Sequence, residues 1–219
     1  MLFDVINHVN EAHFYGRKLP AEEREAVAAN IAKQLGKPGS YAGMFAPTAS
    51  ELKNGIKLFT GERVRPSASL RHVFGEEASR AMLLLKPQAA AARTAARQAA
   101  NSILSHLRKQ EPNKHGMFCC GTCDPALWRH ITAGGLKGEE DWIKFGLKAL
   151  KAHRKGDGRW RRFPFFYTLL ALTEIDSNDA RHEMKYAAAE CESFLKRAKA
   201  LSQMANRRKA IIEKVLNLS

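Results

Sequence analysis

Signals for the start of a helix recur along the whole chain, whereas no segment alternates polar and apolar residues as a half-buried strand does. Three glutamates follow Pro20, Thr48 and Glu51 have the spacing of a capping box, and Pro125 follows Asp124. Capping side chains, proline and acidic residues all favour the first turn of a helix. The sequence therefore predicts an all-α protein, with well over half of its residues helical and no sheet of three or more strands.

Helix and loop lengths repeat in the second half of the chain. Shifting 127–151 along the sequence until Trp128 falls on Tyr167 also places Gly138 on Ser177. Such a repeat is typical of stacked α-hairpins, because each pair buries its apolar faces only against its neighbours. We predict stacked α-hairpins, arranged as a partial toroid or a superhelix. An N-terminal helical region (1–110) and a C-terminal α-hairpin region (111–219) would pack as one domain.

A turn followed by an apolar helix lies at the centre of this half: Asp157-Gly158-Arg159-Trp160, then FPFFYTLLAL at 163–172. The surrounding segment, 123–179, resembles one repeat of the α/α-toroid family, which includes terpene cyclases and protein prenyltransferases. The resemblance implies an α-hairpin layout and a concave face. The Asp-x-Asp-Asp motif of the cyclases and the zinc ligands of the prenyltransferases are missing, and the chain is too short for six helix pairs. The resemblance therefore implies no catalytic residue here.

The chain is strongly basic, with 36 Lys and Arg against 22 Asp and Glu. Such a surplus favours polyanions as partners. The densest basic run is 148–162, and basic side chains with an interleaved aromatic can bind phosphates and stack on bases. The candidate anion-binding residues are Lys151, Arg154, Lys155, Arg159, Trp160, Arg161 and Arg162. The alternative is a solvated helix end, where the helix dipole alone favours Lys and Arg.

Three of the four cysteines lie close together in an irregular segment before Asp124. Zinc takes about four N or S ligands in a tetrahedron, and the local candidates are Cys119, Cys120, Cys123 and His130. Two alternatives remain open. The thiols can be small buried side chains beneath the loop, or Cys123, just before a helix, can be a reactive thiol and the candidate catalytic residue.

A third polar group lies on a predicted helix and comprises Arg65, Ser67, Ser69, Arg71, His72, Glu76, Glu77 and Arg80. His72 and Glu76 are spaced so that their side chains meet on one helix face and could form a polar pocket. We interpret the group instead as a chain of surface pairs.

The sequence contains no apolar run that could span a membrane and no recognisable signal peptide, and its cysteines do not resemble a secreted disulfide framework. We therefore expect a cytoplasmic protein. Our leading hypothesis is a non-enzymatic binding protein with a basic face for an anionic partner, nucleic acid being one candidate. The alternative is an enzyme with a pocket between the cysteine loop and 163–167, acting on an isoprenoid-like or other apolar substrate. An enclosed apolar cavity beside 119–130 would favour the enzyme.

Overall fold

The computed structural model describes residues 1–197 and 202–219. Helices account for 61% of the described residues, which contain ten helices and a single two-stranded sheet. The prediction of an all-α fold is therefore confirmed over the described residues. None of the helices described is both long and apolar enough to cross a membrane.

The first region contains five helices and the small sheet. These elements are α1 (Leu2–Phe14), α2 (Ala21–Ala32), α3 (Ala49–Asn54), β1 (Ile56–Lys57), β2 (Arg63–Val64), α4 (Ala68–Leu85) and α5 (Ala90–Leu107). The strands pair antiparallel, with Ile56 opposite Val64.

The second region contains five helices and no strand among its described residues. Its helices are α6 (Asp124–Thr132), α7 (Asp141–Ala152), α8 (Phe165–Leu172), α9 (Asn178–Arg197) and α10 (Gln203–Leu218). Ser177 is a capping residue type, and the sequence after it predicts helix over 179–216 in one or two pieces. α9 and α10 are those pieces. Residues 198–201 between them lie outside the described part. α7 packs on α6 and α9, while α8 packs on α6, α9 and α10.

The start of α3 shows a local signal that also organises distant chain. Thr48 Oγ1 accepts a hydrogen bond from the Glu51 amide, and Glu51 Oε2 accepts one from the Thr48 amide at 2.8 Å, so the predicted capping box is present. The other carboxylate oxygen of Glu51 accepts a hydrogen bond from the amide of Phe3 at 2.6 Å. One buried carboxylate therefore satisfies amides at the starts of both α1 and α3.

α4 runs without a break through Gly75, although the sequence suggested a break or a kink there. The reason is a close approach: a Cβ atom at Gly75 would lie 2.8 Å from Cε of Met44. Glycine is used here to let another segment pack against the helix, not to end it.

One continuous cluster of buried residues, reaching from Phe3 to Val215, spans both regions. α4 lies inside it and packs against α1, α2, α5 and α6. Five of its polar residues are buried with it, namely His72, Glu76, Glu77, Ser79 and Arg80, whereas Arg71 is exposed. Our interpretation of the group as surface pairs is therefore wrong for His72, Glu76, Glu77 and Arg80, because α6 covers the face of α4 that the sequence alone left open. The other end of the group, Arg65, Ser67 and Arg71, is exposed.

Candidate metal centre and lysine groove

The loop between α5 and α6 is organised by a few polar contacts. Asn113 donates from Nδ2 to the carbonyl of Cys119 at 3.0 Å, and its Oδ1 accepts from the amides of His115 and Met117. The carboxylate of Asp124, at the first residue of α6, accepts from the amide of Cys119 at 3.3 Å. The loop is therefore held in one conformation that presents its thiols to α4.

The three cysteines of the loop converge. Cys120 Sγ lies 3.4 Å from Cys123 Sγ and 3.4 Å from the hydroxyl of Ser69 on α4. Hydrogen bonds with the other two thiols raise the pKa of Cys123 well above its usual value, and its side chain is fully buried. A reactive thiol needs a lowered pKa and access to solvent, so these two facts speak against Cys123 as a nucleophile.

His72 joins this group from α4. A ring nitrogen of His72 and the sulfur atoms of Cys119 and Cys123 all lie within 4.8 Å of one another. His72 Nε2 contacts Glu76 Oε1 at 3.1 Å, while Nδ1 is buried and has no hydrogen-bond partner in the described part of the chain. The free ring nitrogen is therefore Nδ1. The ring itself is fully buried, stacked against Tyr41 with centroids 4.1 Å apart.

Glu76 links two histidines. Its Oε1 pairs with His72, and its Oε2 lies 2.6 Å from Nδ1 of His130. Burial alone would raise the pKa of this carboxyl, but the hydrogen bonds from His130 and His72 lower it to about 2. The sequence named His130 as the candidate ligand, whereas the structure places His72 beside the thiols and turns Nδ1 of His130 toward Glu76. We therefore replace His130 by His72 in the candidate set.

A second buried polar network is centred on Glu77, the residue after Glu76, and its partners from other helices were missed by the sequence reasoning. Glu77 accepts hydrogen bonds from Arg129, Asn10 and the hydroxyl of Tyr167, the last at 2.5 Å. Arg80 and Arg129 both bind Glu174. Two carboxylates face two guanidinium groups, so the network is neutral and its members are paired, as buried charges must be.

Several residues of the basic run 148–162 form ion pairs and hydrogen bonds within the protein. Arg154 binds the buried carboxylate of Glu183 at 2.8 and 3.1 Å, and the indole nitrogen of Trp160 donates to the same carboxylate at 2.9 Å. Arg159 binds Glu190 at 2.5 Å. Trp160 is only 4% exposed, so the expectation that its ring stacks on a base does not fit its position.

Three of the predicted anion-binding residues remain exposed and form no ion pair within the described ranges: Lys151, Arg161 and Arg162. Lys155 is also exposed, but it pairs with Asp157 at 3.0 Å. The positive charge available to a ligand is therefore smaller than the sequence suggests, and it lies on α7 and on the tip of the following turn.

A groove of about 700 Å³ runs between α7 and α9 and collects further lysines. Lys144, Lys148 and Lys151 are spaced so that they share one face of α7, and Lys185 faces them from α9. The remaining lining residues are Leu147, Arg154, Asp179, His182, Glu183 and Tyr186. Of the two acids, Glu183 is already neutralised by Arg154. The groove therefore carries a net positive charge. The contribution of Lys185 could not be found from local sequence, because it lies outside the basic run.

No known protein family, curated protein or solved structure matches this chain. Its function has to be inferred from the geometry of these two sites.

Proposed function

We propose that this chain is a non-enzymatic binding protein whose groove between α7 and α9 holds an anionic partner, with nucleic acid as the class that fits it best. The observation that supports this proposal is the set of lysines lining the groove. Lys148, Lys151 and Lys185 are exposed and form no ion pair with any described residue. Each can therefore neutralise a phosphate without giving up an existing contact.

The aromatic side chains near the groove are not available to a base. Tyr186 lines it, but the guanidinium of Arg154 lies over its ring at 4.3 Å. Trp160 is also buried. Lysines act on phosphates as flexible point charges and carry little geometric preference. We therefore expect binding dominated by backbone phosphates, with little preference for base sequence.

The competing idea of an enzyme acting on an apolar substrate draws no support from Cys123 or His72. Cys123 and His72 are both fully buried, so a substrate could not reach them without displacing α4 or the loop. Most of the residues that line the groove are charged.

The test is a salt titration with a fluorescently labelled single-stranded oligonucleotide of mixed sequence, followed by anisotropy. Counterion release predicts that log affinity falls linearly with log salt, by about 0.7 for each phosphate neutralised on a single strand. Three lysines predict a slope near −2 from this groove alone. Replacing Lys148, Lys151 and Lys185 together by Ala should remove most of that slope.

The matched control removes three exposed lysines elsewhere, Lys37, Lys53 and Lys109, and so lowers the net charge equally. This control should retain most of the slope. An equal loss in both triple variants would mean that only the overall charge matters, and the groove would then not be the binding site. Absence of binding by the unaltered protein at low salt would exclude nucleic acid as the partner.

A further inference from the structure

A fully buried histidine nitrogen without a partner is the observation that the fold leaves unexplained. His72 Nδ1 has no hydrogen bond within the described residues, although buried ring nitrogens are nearly always paired. A ring nitrogen of His72 lies within 4.8 Å of two thiols, those of Cys119 and Cys123, and thiols are weak hydrogen-bonding groups. Apolar packing alone would place no such polar atom here.

The donor types at this place are those of a metal site. We infer that a zinc ion is bound by Nδ1 of His72 and by the thiolates of Cys119, Cys120 and Cys123. Three sulfurs and one imidazole form a standard ligand set for a closed, four-coordinate structural zinc site. Cys120 is not in the group whose donor atoms all lie within 4.8 Å, but its sulfur lies 3.4 Å from that of Cys123.

Glu76 supplies the outer contact that such a histidine normally makes. A metal-bound imidazole almost always donates its other N–H to a carboxylate or carbonyl, which fixes the tautomer. Here Nε2 of His72 contacts Glu76, which leaves the lone pair on Nδ1 as the metal donor of the ring. Glu76 is held in turn by His130. Glu76 is thus a positioning residue, and His130 acts through it.

Coordination requires no redox step. Each coordinating thiol releases its proton to solvent as its sulfur binds the ion, and the neutral imidazole donates its lone pair. All four ligands come from protein, and the His72 and Cys123 side chains are fully buried, so no position is left open for a substrate. The ion would therefore tie the loop before α6 to α4, across the contact between the two halves of the chain.

A disulfide between Cys120 and Cys123 is the competing explanation for the close thiols. It would use two of the three sulfurs and leave Cys119 and the free nitrogen of His72 unexplained. The zinc site accounts for all four groups together, and this is why the observations favour it.

The experiment measures metal content after purification without chelator. Elemental analysis should find one zinc per chain, and His72→Gln, Cys119→Ser, Cys120→Ser and Cys123→Ser should each lose it. Two controls remove similar side chains elsewhere. Cys191→Ser removes a buried thiol from α9, and His115→Gln removes a histidine from the loop between α5 and α6 that holds the three cysteines. Both controls should keep one zinc per chain.

Glu76→Gln tests the positioning role separately. It should retain the same stoichiometry at saturating zinc but bind about 10- to 100-fold more weakly, as losses of outer-shell partners typically do. A purely structural role for Glu76 would lower the melting temperature without changing the zinc affinity of the folded protein.

A variant that fails to fold would leave its own zinc content uninformative, so the unaltered protein carries the decisive measurement. Cobalt added to it should give the intense visible bands of a tetrahedral site and a sulfur-to-metal charge-transfer band. Absence of both zinc and these bands would overturn the inference. Two missing free thiols without metal would establish the disulfide in its place. Zinc retained by folded His72→Gln but lost from His130→Gln would transfer the ligand role to His130.

Discussion

Arg129 holds Glu174 through two hydrogen bonds, from Nε to Oε2 at 3.0 Å and from Nη2 to Oε1 at 3.2 Å. The same guanidinium reaches Glu77 on α4, so one side chain of α6 joins α4 to the turn after α8. Arg129 is fully enclosed, with 2% of its side chain exposed. The contact between the two halves of the chain therefore depends on a buried, neutral charge network as well as on apolar packing.

Removing Arg129 should be one of the most damaging single changes in the protein. Arg129→Met keeps the length of the side chain but leaves Glu77 and Glu174 with less compensation in a dry environment. Breaking a buried pair in this way typically costs about 3–5 kcal/mol of unfolding free energy. Denaturant titration measures it. The control is Arg108→Met, whose ion pair with Glu139 involves an arginine that is 65% exposed and should cost less than about 1 kcal/mol.

Stability should fall in acid, partly through Glu174. Burial by itself would raise the pKa of this carboxyl, but Arg129 and Arg80 outweigh it and hold the pKa below the usual 4.5. A lowered native pKa means that the unfolded chain binds a proton first, so the stabilisation is present above pH 4.5 and is lost as the pH falls below it. Unfolding free energies measured from neutral to acid pH should show this decline.

The variant Glu174→Gln isolates that contribution. It should be less stable than the unaltered protein at pH 7 and should lose less stability between about pH 5 and 3. Glu213→Gln serves as the control, because Glu213 is exposed on α10 and pairs only loosely with Lys209, at 3.7 Å. An acid profile for Glu174→Gln that parallels the unaltered protein would show that other carboxyls carry the decline.

Contacts between residues within one helical turn could be predicted from the sequence, whereas contacts between distant segments could not. The capping box of Thr48 and Glu51 was readable because both partners lie within one turn. The third partner of that carboxylate, the amide of Phe3, is distant in sequence and was invisible. Helix types and approximate bounds depend on the first kind of signal, and this explains why the all-α prediction holds.

The candidate metal site also depends on contacts between segments that are distant in sequence. Sequence proximity selected His130 as the partner of the cysteines, and the spacing of His72 and Glu76 was recognised but assigned to the surface. The choice between the two histidines depends on how α6 lies against α4, which no local pattern contains. Because both side chains are buried, His72 becomes a candidate ligand and Glu76 the carboxylate that holds its ring.

Gly146 on α7 should tolerate no side chain. A Cβ atom there would lie 2.4 Å from the ring of Trp128, which is large, rigid and fully buried. Overpacking of this kind costs about 1–3 kcal/mol, against a gain of up to about 1 kcal/mol from replacing glycine by alanine in a helix. We therefore expect Gly146→Ala to be destabilised in thermal and denaturant unfolding.

Gly75→Ala is the matched comparison within α4. Its Cβ would meet Met44, with Cε at 2.8 Å and Cβ at 3.2 Å. The flexible end of Met44 can rotate away and Cβ needs to give by only a few tenths of an ångström, while the helix gains the same propensity. The expected change is within about 1 kcal/mol of zero. If Gly75→Ala proved as damaging as Gly146→Ala, the difference between a rigid and a flexible neighbour would not explain either result.

Replacing Glu183 by Gln should lower the stability of the fold and raise the affinity of the groove for its ligand. Its carboxylate is bound by Arg154 and by the indole of Trp160, so Glu183→Gln weakens charge-assisted hydrogen bonds and should cost about 1.5–3 kcal/mol of unfolding free energy. The same change removes a negative charge from the groove and releases Arg154 from its ion pair. If the groove binds nucleic acid, affinity at low salt should rise and the salt slope should steepen by up to about 0.7.

Glu192→Gln removes an equal charge from an exposed position on α9 without freeing an arginine, and it should change neither property appreciably. A Glu183→Gln variant that is folded but less stable, and that binds the oligonucleotide no more tightly than the Glu192→Gln control, would contradict the placement of the partner in this groove.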